Sequence, residues 1–143
     1  MKTNLAAVVV SAVVYFVLQG IWFTVFKDAW AVGSRLTAAE IADAQAHPRP
    51  GPYVVALLCN LIVAYVLAKL IGAARETTAL GGARVGVVVG FGIAFTALIT
   101  EFVFEMKPLG FMLISAGIAV IGGMVMGAIL GCWQCKDKSG ATA

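Results

Sequence analysis

The sequence predicts an all-α integral membrane protein, a four-helix bundle with a capping outer loop between the first and second helices. Three observations carry that prediction. Hydrophobic residues fill 62% of the 143 positions and charged residues only 12%, about half the charged share of a soluble domain. Mean hydropathy is +0.99. Four apolar runs, at about 5–26, 53–71, 85–106 and 109–133, each reach the ~20 residues that cross a hydrocarbon core as a helix. The whole chain is then one membrane domain, with no room for a soluble catalytic module.

The first run is expected to stay in the mature protein. Its apolar part outlasts a signal-peptide core, no small-x-small site follows, and it ends in aromatics, Trp22 to Phe26. Ser11, Tyr15 and Gln19 recur at helical spacing, as polar ties to neighbouring helices or as the lining of a pocket. The loop that follows places Trp30 at headgroup level. Thr37-Ala-Ala-Glu40 is a capping box, so a short helix spans about 37–46, lying on the membrane or folding over the bundle mouth as a lid. His47-Pro-Arg-Pro-Gly-Pro52 predicts a stiff, extended return. His47 is the single histidine, and without partners at ligand spacing it is a poor metal candidate.

The second run lines up Tyr53, Ala56, Asn60, Ala64 and Ala68. In the third, at ~100° per residue, Gly82, Gly86, Gly90, Ala94 and Ala97 share one stripe. Glu101 lies at its edge with Thr100 beside it, and Phe91, Phe95, Ile99 and Phe102 lie opposite. Pro108 suits the first turn of the fourth run, which carries Ala119, Gly123, Gly127 and Gly131 in a ladder of its own. Two such ladders predict close backbone packing of the third helix on the fourth, or of either on a second copy.

Counted inward from the outer ends, Gln19, Asn60, Glu101 and Ser115 all fall roughly 7–11 Å deep at 1.5 Å per residue. The expected site is an outward-facing polar pocket centred on Glu101. Gln19, Asn60, Ser115, Tyr15, Thr100 and Glu105 would line it, and Trp22 and Trp30 would form the rim. The competing expectation is a hydrogen-bonded clasp that only locks the helices. A carboxylate within hydrocarbon calls for compensation: Lys107, Arg49 or Arg35, a bound cation or cationic ligand, or a proton. Glu105 is otherwise a structural partner for Lys107.

Lys2, Lys69, Arg75, Arg84, Lys136 and Lys138 fall on one side of the membrane, and Lys27, Arg35, Arg49 and Lys107 on the other. The bias favours cytoplasmic termini. The net charge of +3 includes no basic run of the kind that binds nucleic acid. Cys132 and Cys135 form a C-x-x-C, but neither a βαβ unit nor a second such pair accompanies it, so no metal or cofactor is expected. The expected function is binding or transport of a small ligand or ion, completed by a homo-oligomer, a dimer at least. A structural or accessory role is the alternative, and an enzyme acting on a lipid or quinone a third.

Tyr15-Phe-Val-Leu18-x-Gly20-x-Trp22, with Phe26 and Trp30, Phe104-Glu105-x-x-Pro108-Leu109-x-Phe111, and Gly127-Ala-Ile-Leu-Gly131-x-Trp133 give the chain a further signature. It resembles the bacterial four-span membrane family DUF1761, a domain of unknown function, over nearly its whole length. The resemblance implies a four-helix protein of the bacterial inner membrane and supplies no activity.

Overall fold

The computed structural model describes the backbone of residues 3–139 and the side chains of residues 3–133. The chain is all-helical: α1 (Leu5–Val25), α2 (Lys27–Gly33), α3 (Ala38–Ala46), α4 (Pro50–Ala73), α5 (Ala79–Val89), a π-helical segment (Gly90–Phe95), α6 (Thr96–Phe104) and α7 (Leu109–Ser139). Among the described residues, four stretches are long and apolar enough to span: Leu5–Val25, Pro50–Ala73, Ala79–Phe104 and Leu109–Trp133. Cys135 lies outside the described side chains, so the C-x-x-C is not seen as a pair. Among the described residues no group of histidines, cysteines and carboxylates is placed to hold a metal.

Local chemistry explains most of the ends. Asn4 caps α1 by accepting from the amides of Ala6 (3.0 Å) and Ala7 (3.3 Å), and Thr78 caps α5 by accepting from Gly81. α4 starts earlier than expected. Pro50 and Pro52 stand in its first turn, where the missing N–H groups have no intrahelical partner to lose, so the return after His47 is non-helical only through Pro48 and the extended Arg49, and helical from Pro50. α4 and α6 both end with a non-glycine residue in the left-handed region, Arg75 (φ 57°) and Met106 (φ 53°). The next amide in each case reaches back to the last turn, Glu76 N–H to the Ile71 carbonyl and Lys107 N–H to that of Phe102.

α7 is the axis. It packs against α1, α2, α4, α5, the π segment and α6, which leaves α1 paired with α4 on one side and α5 seated on the other. The core between α1, α4 and α7 holds Ala12, Tyr15, Ala64, Leu67, Ile71, Ile118, Met126 and Leu130. The glycine ladders close onto one another within the chain. A Cβ on Gly82 would meet the Gly127 carbonyl, one on Gly123 the Gly86 carbonyl at 2.5 Å, and one on Gly90 the Ala119 carbonyl at 2.7 Å. Of the two packings left open above, this is the third span on the fourth. The backbones approach because no side chain stands between them, and in lipid such van der Waals contact drives helix association.

The π segment interrupts the expected stripe. One residue more per turn, relative to 3.6, rotates everything downstream by about 100°. Gly82, Gly86 and Gly90 face α7 and are buried as expected, but beyond the segment Leu98 and Phe102 are half-buried while Ala97 and Glu101 are exposed. Phe102, expected on the far side, stacks edge-on against Phe111 with ring centroids 5.3 Å apart.

α3 forms with its capping box intact: Glu40 N–H donates to Thr37 Oγ1, and Thr37 N–H to Glu40 Oε2 at 2.7 Å. Among the described residues it packs on no other helix, so it is not a lid seated on the bundle. The Thr37 backbone N–H, then its hydroxyl, holds the exposed Glu40 carboxyl below its ordinary range. A lowered folded value means the box contributes above the unfolded carboxyl pKa and is lost as pH falls through the lowered one. Cα chemical shifts of residues 38–46 are therefore expected to lose helicity on acidification from about pH 5 to about pH 3, and Glu40→Gln to flatten that response.

Candidate functional site

The polar side chains expected to converge divide into three groups. Gln19 and Asn60 meet directly: Asn60 Nδ2 donates to Gln19 Oε1 at 2.7 Å. Asn60 is 4% exposed, and Tyr15, one turn before Gln19 on α1, is also buried. Small residues bring this group together. A Cβ on Gly122 would run into the Tyr15 ring, so glycine there lets the phenol lie between α1 and α7.

The second group ties the outer ends. Trp22 Nε1 donates to the Ile114 carbonyl at 3.0 Å, which makes Trp22 a strut between α1 and α7 rather than a rim. Phe111 is the hub: Trp30 stacks on it at 6.0 Å, Phe102 meets it edge-on, and Gly33 is buried against its ring. Lys107 Nζ lies 4.9 Å from the ring centre and donates to the Gly33 carbonyl at 3.1 Å. It also stands 3.9 Å from Glu105 Oε2, so Glu105 is a partner of Lys107 and not part of the polar cluster around Gln19.

Glu101 stands apart as the third group. It is exposed; its backbone carbonyl accepts from Glu105 N–H, but its carboxylate makes no hydrogen bond or ion pair with another described residue. Thr100, also exposed, turns its hydroxyl back to the Thr96 carbonyl at 2.8 Å. Lys107, the nearest expected cation in sequence, is engaged at Gly33 and Glu105.

Depth along α7 shows why the level layer fails. Tyr15 meets Gly122 and Trp22 meets Ile114, so Gln19 and Asn60 sit near the level of Ile118. Phe102 meets Phe111, which puts Glu101 near Met112, about six residues or roughly 9 Å further out. Ser115 lies between the two levels, its buried hydroxyl without a hydrogen-bond partner among the described residues. The expected pocket centred on Glu101 is thus not assembled within one chain. Counting from predicted ends missed this because the helices do not end at a common plane.

Removing Asn60 tests the clasp. Asn60→Leu leaves the Gln19 amide unpaired inside the bundle and is expected to cost about 1 kcal/mol, while the Gln19→Leu/Asn60→Leu pair recovers part of it. Thermal unfolding in mild detergent reads both.

A set of apolar spans around one central helix, pinned by an amide pair and an indole strut, defines a small polytopic membrane protein. The model of DUF1761, a protein family of unknown function, matches residues 6–131, and the chain belongs to that family. No curated protein and no solved structure matches it.

Proposed function

We propose that this is an accessory membrane protein that works by lateral association, its third span docking on a helix of a neighbouring protein through the face that carries Glu101. One observation carries the reading. Only 6% of the most apolar window of that span is buried, against 44% for the fourth, and this least covered span holds the unpartnered carboxylate. Glu101 lies in the last turn of α6, near the outer end of its span, and a carboxylate there still faces protein or water rather than hydrocarbon, which offers it no counter-charge. Ala97 and Thr100 add small exposed groups near Glu101, as helix contacts in lipid require, and Gly92, where a Cβ would meet nothing, lies further along the same span.

Photo-crosslinking in native membranes tests this. A crosslinker at Ala97 is expected to yield discrete adducts, and Glu101→Ala to weaken them several-fold. The same probe at Val13, on the exposed side of α1, is the control. Equal labelling at both positions, or none at Ala97, would overturn the proposal.

Binding or transport of a small cation is the second reading, favoured by the same unpaired carboxylate. A pathway would then have to form between copies, since Glu101 is not enclosed within one chain. Adducts consisting only of the homodimer, with cation-dependent stability abolished by Glu101→Gln, would select it.

A further inference from the structure

An open cavity of about 590 Å³ lies outside the bundle, between α3 and the first turn of α4. Its charged and polar walls are Glu40, Asp43, His47, Arg49 and Tyr53, and its floor includes two alanines of α3 and Pro52. The volume is within the range of small-molecule sites, roughly 300–1,000 Å³.

The signs are distributed unevenly. Asp43 Oδ1 already faces His47 Nδ1 at 3.2 Å, and Glu40 Oε2 is held by Thr37. Each acid keeps its second carboxylate oxygen free of any hydrogen bond to a described residue. On the α4 side, the Arg49 guanidinium and the Tyr53 hydroxyl make no hydrogen bond or ion pair with any described residue; the Tyr53 ring rests edge-on against Phe16. Anion-binding donors at the start of α4 therefore line the same groove as the cation-binding acceptors of α3. A purely anionic ligand would meet two carboxylates, and a purely cationic one would meet Arg49. A zwitterion satisfies both walls.

Location selects the source of that zwitterion. The groove opens where α4 begins its span, and below Tyr53 the exposed residues Val55 (60%), Leu58 (54%) and Ile62 (65%) form an apolar track along α4. A ligand seated here would have its polar end in the groove and hydrocarbon beneath it. The geometry points to a binding site for the phosphoethanolamine head group of a membrane lipid. Arg49 and Tyr53 take the phosphate, Glu40 and Asp43 take the ammonium, and the acyl chains lie on the outer half of α4. α3, attached only through its flanking loops, can adjust to the head group.

Native mass spectrometry of the full-length protein with defined lipids tests this. Phosphatidylethanolamine is expected to be retained about tenfold more tightly than phosphatidylglycerol or phosphatidylcholine. Arg49→Gln and the Glu40→Gln/Asp43→Asn pair are each expected to erase that preference. These residues are exposed, so thermal unfolding at the wild-type temperature confirms that the variants fold. Equal retention of all three lipids, or an unchanged preference in the variants, would overturn the assignment. So would soluble glycerophosphoethanolamine binding as tightly as the lipid, because the apolar track would then contribute nothing.

Discussion

Gly86→Val is expected to separate the third span from the fourth. A Cβ at Gly86 would run into the carbonyl of Gly123 and lie 2.6 Å from its carbonyl carbon. Both are backbone atoms in the middle of α7, so no rotamer change relieves the clash. Overpacking in a core that can shift side chains costs about 1–3 kcal/mol; here two helix axes must move apart, and about 3 kcal/mol or more is expected. Gly92→Val, on the same span, introduces a side chain where nothing lies within 4 Å, and is expected to stay within about 0.5 kcal/mol of wild type. Unfolding of the two variants in the same detergent gives the comparison. Similar losses in both would mean that general helix propensity, and not the α5–α7 contact, sets the cost.

Phe111→Ala is expected to be the next largest loss. In water-soluble cores Phe→Ala costs about 3–5 kcal/mol. Inside a bilayer the transfer from water falls away and packing remains, so the lower end, about 3 kcal/mol, is appropriate. The ring supports Trp30, Phe102, Gly33 and Lys107 together. Its removal should therefore loosen α2 and α6 while leaving the Gln19–Asn60 pair bound. Cysteine accessibility read at positions in α2 and α6, against one beside Asn60, distinguishes that local release from global unfolding. Uniform labelling across all of these positions would show that Phe111 is not a local hub.

The polar chemistry was less legible than the spans. Gln19 and Asn60 share a depth that could be counted from the chain, and they do bond. Glu101 was placed by the same counting and is elsewhere. Its face depends on the π segment at Gly90–Phe95, and a one-residue change in helical pitch leaves no mark in an apolar run whose residues suit either form. Trp22 looked like a belt residue because interfacial and buried tryptophans have the same sequence context; only the Ile114 carbonyl distinguishes them. α2 was invisible for a related reason: it continues α1 after a single break at Phe26, where a loop was expected.

By itself the sequence determined that the chain holds four helices apolar enough to span a membrane, the central part of each, and that α3 is capped by Thr37 and Glu40. Those are properties of local composition and spacing, and hydrocarbon thickness leaves few other solutions. The tertiary structure decided which helix the glycines meet, at what level each polar group sits, and that Glu101 stands outside the core. Such choices depend on how whole helices slide and rotate against α7, and pairs as far apart as Gly82 with Gly127 or Trp22 with Ile114 fix that register.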